Sequence, residues 1–143
     1  MSHPSDAVVQ AWIRLVRAHN RALGKIEEAL KAASLPPLEW YDVLLELERA
    51  GPLRPRDLQG RLLLAQYNLS RLLDRMVVAR LVERTPCPDD ARGHLVGLTP
   101  AGRARRSEMW PVYAAAIAGA VGARLSDDEA AVLADLLGRL TAA

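Results

Sequence analysis

The sequence predicts a mainly α fold with one small β-hairpin. Apolar residues recur at helical spacing through much of the 143-residue chain, and half of all residues are apolar. Residues 81–85 and 95–98 are β-prone and flank a segment rich in turn formers. Ser5, Thr99 and Ser126 each precede a predicted helix where a hydroxyl can cap the first turn. A chain of this length can bury a substantial core, so we expect one domain over residues 1–143.

The first predicted element is a long amphipathic helix that follows Ser5. Its apolar positions alternate in steps of three and four: Val9, Trp12, Val16, His19, Leu23, Ile26 and Leu30. This seam is longer than a core helix of a small domain requires, so we expect part of it to contact another chain. Pro36 and Pro37 end the helix and start a second one, residues 38–50.

Two short helices joined by a tight turn are predicted next. The first extends over residues 54–62 and the second over residues 66–79, which together form a helix-turn-helix. A buried stripe in the second helix leaves six polar or charged side chains facing outward: Gln66, Tyr67, Asn68, Ser70, Arg71 and Arg75. Amide, hydroxyl and guanidinium groups can bind phosphates or read base edges, so these six are candidate nucleic-acid contacts.

The β-prone segments form a predicted hairpin with a long charged tip at residues 86–93. Thr99 and Pro100 then cap a helix that extends to about residue 124. Ser126 and Glu129 form a capping box for a last helix. A hairpin directly after a helix-turn-helix is a wing, so the predicted fold is a winged helix-turn-helix with long helices at both ends.

Positive charge is concentrated in the same segment. Residues 53–106 carry eleven basic and five acidic side chains, a net charge of +6, whereas the whole chain carries only +2. The remaining residues are therefore net acidic. This distribution favours a face that binds a polyanion, and a solvated charged surface is the alternative interpretation.

Several functional classes find no support in the sequence. The N-terminal residues lack the basic and apolar regions of a secretory signal, and no segment has the ~18 consecutive apolar residues of a membrane span, so we expect a cytoplasmic protein. A single cysteine excludes an internal disulfide and a multi-cysteine zinc site. Neither a glycine-rich phosphate loop nor a His-Glu-x-x-His motif occurs. We expect no enzyme, metal or cofactor.

Four segments of the chain carry a resemblance to a known family. They are Leu-Ser-Arg-Leu-Leu-Asp-Arg-Met at 69–76, Leu-Val-Glu-Arg at 81–84, Asp-Ala-Arg at 90–92 and Leu-Thr-Pro-Ala-Gly at 98–102. Together they resemble the MarR family of bacterial transcriptional regulators. The resemblance covers essentially the whole chain. It implies a homodimer joined by residues 5–33 and 100–143, with a DNA-binding lobe at residues 35–100. Such regulators bind a pseudo-palindromic operator, usually as repressors that a small ligand releases.

The resemblance also implies roles for individual residues. Ser70, Arg71 and Arg75 would contact the major groove and the DNA backbone, Arg92 would enter the minor groove, and Asp90 would brace the wing. These roles suit the chemistry, because a narrow minor groove attracts arginine and a neighbouring carboxylate can hold the guanidinium.

The chain departs from the family pattern in three places. Arg80 stands where a glycine is usual, so a left-handed helix end there would carry a steric cost. Arg54 and Ala65 stand where hydroxyl caps are usual, which predicts a looser lobe. The leucine run at residues 62–64 is expected to expose an apolar side chain.

The aromatic residues of the chain allow two interpretations. Trp12, Trp40, Tyr41, Trp110 and Tyr113, with His19, lie on the first, second and fifth predicted helices. They could form a pocket for an aromatic or phenolic acid whose charge is held by His19 or Arg17. Alternatively, they form the aromatic core of a chain that contains no phenylalanine.

Two further alternatives to a DNA-binding regulator are a protein–protein adaptor with the same fold and a redox sensor based on Cys87. The cysteine lies between two prolines and near Arg84 and Arg92, which could activate a thiol. It has no partner cysteine within the chain. Catalysis by Cys87, His94 and Asp89 or Asp90 is disfavoured, because they fall in one short hairpin tip.

Overall fold

A computed structural model describes residues 2–142, apart from the side chain of Ala91. The helices are α1 (Asp6–Ala32), α2 (Leu38–Ala50), α3 (Pro55–Gln59), α4 (Leu69–Val78), α5 (Pro100–Ile117) and α6 (Asp127–Thr141). The strands are β1 (Val82–Cys87) and β2 (Asp90–Leu98), and a π-helical turn (Ala118–Gly122) continues α5. The predicted mainly α fold with one hairpin wing is confirmed.

Hydroxyl caps start three of the helices as predicted. Ser5 accepts a hydrogen bond from the Val8 amide, and Thr99 accepts one from the Gly102 amide. Ser126 and Glu129 form both hydrogen bonds of a capping box at α6. Helix α2 follows a proline instead, and its Leu38 amide donates to a Glu27 carboxylate oxygen of α1 at 2.8 Å. The start of α2 is therefore fixed by α1.

The core lies where the C-terminal half of α1, helices α2 and α4, the base of the wing and α5 meet. Its fully buried side chains include Leu30, Leu44, Leu47, Leu58, Leu73, Met76, Val82, Val96 and Met109. The predicted buried stripe of α4 is confirmed. By contrast, the N-terminal half of α1 and one face of α6 expose large apolar side chains in the single chain: Val8, Val9, Trp12, Val16, Val132, Leu133, Leu136 and Leu140.

Four predicted boundaries differ from the structure. Helix α3 is shorter than predicted and ends at Gln59, while α4 begins at Leu69 rather than at residue 66. The first-turn acceptor that Ala65 lacks is supplied by Asn68, whose Oδ1 accepts from the Arg71 amide at 3.1 Å. Helix α4 is therefore capped, three residues later than predicted, whereas Arg54 at the start of α3 makes no side-chain cap hydrogen bond, as expected. The looser lobe stays a prediction.

The other two differences concern the wing and α5. The predicted long tip is short, because β1 and β2 extend to the turn at Pro88 and Asp89 with a register shift between Pro86 and Cys87. Helix α5 keeps α-helical geometry only to Ile117 and continues as the π-helical turn. At the base of the wing, Leu53 pairs with Val96 through two backbone hydrogen bonds. The hairpin is thereby attached to the segment between α2 and α3.

The junction between α4 and the wing depends on a left-handed residue. Arg80 has a φ of 63°, so the steric cost expected from the absence of glycine is present. The Thr99 hydroxyl contacts the carbonyls of Arg80 and Leu81 at 2.7 and 3.0 Å. A Cβ on Gly102 would overlap the Leu81 carbonyl. Close packing of α5 against this junction therefore helps to hold the strained backbone.

Candidate nucleic-acid interface

One face of α4 presents polar and basic side chains. Ser70, Arg71 and Arg75 are exposed, while the opposite face of the helix is buried. Within residues 2–142, no carboxylate lies within 4.0 Å of the guanidinium of Arg71, Arg75 or Arg92. These cations are consequently available to phosphates or base edges.

The three residues before α4 have distinct environments. Asn68 uses its side-chain oxygen to cap α4. Tyr67 is fully exposed, whereas Gln66 is half-buried and its carbonyl accepts from Gln59 Nε2 at 3.2 Å. All three were predicted to lie in the second helix of the helix-turn-helix, but they precede α4, which is that recognition helix.

The wing places Arg92 and Asp90 at its tip, where both are exposed. Asp90 Oδ1 accepts from the main-chain amide of Arg92 at 3.0 Å, so the contact fixes the backbone of the tip rather than the guanidinium. Asp90 Oδ2 lies 4.0 Å from Arg54 Nη1. The sequence marks Arg54 only as a poor helix cap, but its side chain extends from the start of α3 to the wing tip.

A buried carboxylate holds the turn between α3 and α4. Asp42 of α2 is only 6% exposed. Its Oδ1 accepts from the Leu63 amide at 3.0 Å, and its Oδ2 accepts from the Leu64 amide at 2.8 Å. Asp42 was not predicted as a functional residue. Its only sequence signal is a single acid within the apolar run of α2. Leu63 itself is 75% exposed, as expected for part of the leucine run.

A cavity of about 690 Å³ lies behind this turn, between α2 and α5. It brings together half of the predicted pocket: Tyr41 stacks on Trp110 at 6.3 Å and meets Tyr113 edge-to-face at 5.0 Å. Trp12 and His19 are exposed on α1 and do not line it. Trp40 packs against the core instead. The predicted six-residue cluster is therefore not assembled within one chain.

Charged groups line the cavity as well. The charged lining residues are Asp42 and Glu46 with Arg49, Arg61 and Arg106. Arg17 and His19, the predicted charge-holding residues, are absent from its wall. Burial raises the pKa of Tyr113, and the nearby Tyr41 and Asp42 raise it further. The Tyr113 hydroxyl therefore stays protonated at neutral pH and can both donate and accept hydrogen bonds.

Cys87 is buried, and its Sγ lies 3.2 Å from Arg54 Nη2. Burial opposes the access that a peroxide sensor requires. Among residues 2–142, no group of three or more His, Cys, Asp or Glu side chains is arranged to hold a metal ion. None of the helices in that range is long and apolar enough to cross a membrane.

The order of helices, the hairpin and the exposed basic face of α4 define a winged helix-turn-helix protein. A family model described as the MarR family matches residues 34–93. The Escherichia coli multiple antibiotic resistance protein MarR is 34% identical over 97 residues, which cover 68% of this chain and 67% of that protein. The corresponding Salmonella typhimurium protein is 41% identical over 64 residues, so the match spans only 44% of its length.

Solved structures extend the similarity over almost the whole fold. A mutant MarR from E. coli complexed with operator DNA has a TM-score of 0.83 at 25% identity, covering 99% of this chain and all of that one. BpsR from Bordetella bronchiseptica, studied for regulation of its DNA binding by 6-hydroxynicotinic acid, has a TM-score of 0.82 at 25% identity, covering 93% of this chain and 99% of that one. The chain belongs to the MarR family.

Proposed function

We propose that this chain is a sequence-specific, DNA-binding transcriptional regulator that acts in the cytoplasm as a homodimer on a pseudo-palindromic operator. The observation that carries the proposal is the exposed basic face of α4, with Arg71 and Arg75 beside Ser70. The similarity to an E. coli MarR structure complexed with operator DNA supports it. Binding, rather than catalysis, is the proposed activity.

The proposed contacts follow from the shape of each element. Helix α4 enters the major groove, where Arg71 can bind guanine O6 and N7 in a bidentate manner while Ser70 and Arg75 contact phosphates. Arg92 enters the adjacent minor groove from the wing tip, and Asp90 holds the backbone that carries it. The three residues directly before α4 are Gln66, Tyr67 and Asn68. Tyr67 and Asn68 are both exposed, and Asn68 uses its Oδ1 for the α4 cap, while Gln66 is half-buried.

The proposed homodimer covers the exposed apolar faces of α1 and α6 with those of a second copy. Residues 5–33 and 100–143 form the dimerisation region, and residues 35–100 form the DNA-binding lobe. Two-fold symmetry then places two copies of α4 on half-sites about 10 base pairs apart, centre to centre. Neither lobe alone would recognise the whole operator.

The cavity behind the turn is the proposed site for a small aromatic or phenolic acid. Tyr41, Trp110 and Tyr113 offer ring faces and edges, and Arg49 and Arg61 offer charge for a carboxylate. The BpsR structure, whose subject is regulation by 6-hydroxynicotinic acid, supports a ligand of this class. Because residues 62–64 form part of the wall, we propose that a bound acid shifts the turn before α4 and releases the DNA.

Selection from a random pool of double-stranded DNA tests the proposal and does not require the operator sequence to be known. The enriched sequence is then titrated, beside a scrambled one, at two salt concentrations. A regulator binds the enriched sequence preferentially and loses affinity steeply as salt rises, because phosphate contacts release counterions. Failure to enrich any sequence, with binding that salt does not weaken, favours the adaptor alternative.

A further inference from the structure

We propose that Asp42 is the positioning residue of the recognition helix, and that sequence discrimination depends on its two hydrogen bonds to the turn before α4. The inference rests on the proposed function, because it concerns how the same α4 surface reads DNA. Asp42 belongs to α2, and its two carboxylate oxygens accept from the backbone amides of residues 63 and 64, neither of which is a candidate DNA contact. We infer that it acts on α4 through that backbone.

The Asp42 carboxylate anchors the turn to α2, because both of its oxygens accept hydrogen bonds from the turn backbone. A carboxylate that is 6% exposed needs strong donors, and its two oxygens receive one main-chain amide each, at 3.0 and 2.8 Å. The two amides are consecutive, so the carboxylate fixes both the position and the orientation of the chain at this point. Because α2 is packed into the core through Val43, Leu44 and Leu47, the anchor is attached to a rigid element.

The turn has limited support from elsewhere. Residues 60–68 contain no helix or strand, and the Leu63 side chain is 75% exposed. Leu62 and Leu64 are half-buried against the core, and the Gln66 carbonyl accepts one hydrogen bond from Gln59. Helix α4 starts directly after this turn, at Leu69. A shift of the turn therefore changes how α4 is presented to the groove.

Base reading and phosphate binding respond differently to such a shift. Bidentate contacts to base edges require accurate placement of Arg71, whereas contacts between long basic side chains and phosphates tolerate displacement. Loss of the anchor should consequently reduce the preference for the operator more than the affinity for arbitrary DNA. The same carboxylate lines the cavity between α2 and α5, so the anchor of α4 is also accessible from the proposed ligand site.

The test compares Asp42→Asn with Glu39→Gln. Asparagine keeps one acceptor but directs an NH₂ group at the other amide. Glu39 lies on the same helix but outside the cavity wall, and no basic side chain among residues 2–142 lies within 4.0 Å of its carboxylate, so Glu39→Gln is a matched control. Each variant is titrated against the selected and the scrambled DNA. In parallel, amide spectra report the chemical shifts of Leu63 and Leu64.

We expect Asp42→Asn to lower the ratio of selected to scrambled affinity by at least about tenfold, because replacing one charge-assisted hydrogen bond with opposed donors depopulates the competent turn. Scrambled affinity should change by less than about twofold, since the phosphate contacts remain. The Leu63 and Leu64 amide signals should lose the downfield shift of carboxylate-bonded amides. Glu39→Gln should leave all three readouts as in the wild type.

Two outcomes separate the inference from the proposed function. A wild-type protein that does not discriminate selected DNA overturns the proposed function, whatever the amide spectra show. A folded Asp42→Asn protein that keeps wild-type discrimination overturns only the assignment of Asp42. Should Asp42→Asn not fold, Leu63→Pro removes one donor and Leu63→Ala is its control. Equal discrimination by these two variants would likewise overturn the assignment.

Discussion

The guanidinium of Arg84 in the wing strand β1 lies 2.7 Å from the carboxylate of Asp74 in the recognition helix α4. This ion pair connects the two elements that are proposed to contact DNA. The side chains are 30% and 61% exposed, so solvent screens the pair and its effect on folding is small, about 0–1 kcal/mol. Its larger effect is on the charge of the proposed DNA-binding surface, because Arg84 neutralises Asp74, which is itself exposed on α4.

We predict that Arg84→Ala weakens binding to selected and scrambled DNA by a similar factor, about three- to tenfold at low salt, because an unneutralised Asp74 repels phosphates. Asp74→Asn should instead tighten binding to both. Titrations at low salt measure these changes, and urea unfolding should show a loss below about 1 kcal/mol for either variant. The essential result is that the two variants change DNA affinity in opposite directions. Weaker binding by both would mean that the pair positions the wing instead.

Arg71→Ala should weaken binding to the selected DNA by about ten- to a hundredfold and relax base preference at one position of each half-site. The reason is the loss of the proposed bidentate contact to guanine. Repeating the selection with the variant measures the preference directly. Arg14→Ala removes the same charge from the exposed surface of α1 and serves as the control. Unchanged preference in Arg71→Ala would exclude a base-reading role.

Arg92→Ala should weaken binding and reduce the preference for narrow-groove A·T tracts at the edges of the site. The wing tip itself should persist, because Asp90 holds the main-chain amide at position 92, which alanine retains. Titration against sites with A·T and G·C flanks separates the two effects. An equal loss on both flanks would indicate a plain phosphate contact.

Arg80→Gly should raise the free energy of unfolding by about 0.5–1 kcal/mol, because glycine adopts a φ of 63° without the steric cost of a Cβ. The neighbouring Ala79 has a φ of −75°, so Ala79→Gly is expected to destabilise the protein by a similar amount. Urea unfolding at one fixed protomer concentration compares the two. Destabilisation by both glycines would show that the Arg80 side chain contributes more than its backbone strain costs.

Local sequence signals predicted much of this fold. Ser5, Thr99 and the Ser126–Glu129 capping box start the helices where expected, because each cap is a contact within four residues. The start of α4 was misplaced because amphipathic spacing continues upstream of the helix, into residues that belong to the turn. Asn68 could have marked the boundary, since it combines a side-chain acceptor with the position directly before the buried stripe.

Long-range contacts were not predictable in the same way. Asp42 and Leu63 are 21 residues apart, and no spacing rule relates them. Only the fold brings the acid of α2 to the turn. The same applies to the cavity. Tyr41 of α2 meets Trp110 and Tyr113 of α5, while Trp12 and His19 are exposed on α1. Helix membership was predicted, but the packing of the helices decides which aromatic residues converge.

The proposed function requires α4 and the wing to read DNA as a two-fold pair. Dimethyl sulfate footprinting on the selected DNA examines both grooves at once, because the reagent modifies guanine N7 in the major groove and adenine N3 in the minor groove. We expect guanine protection in two half-sites about 10 base pairs apart, with flanking adenine protection that Arg92→Ala abolishes. Specific binding that leaves guanine N7 reactive throughout the site is incompatible with this arrangement.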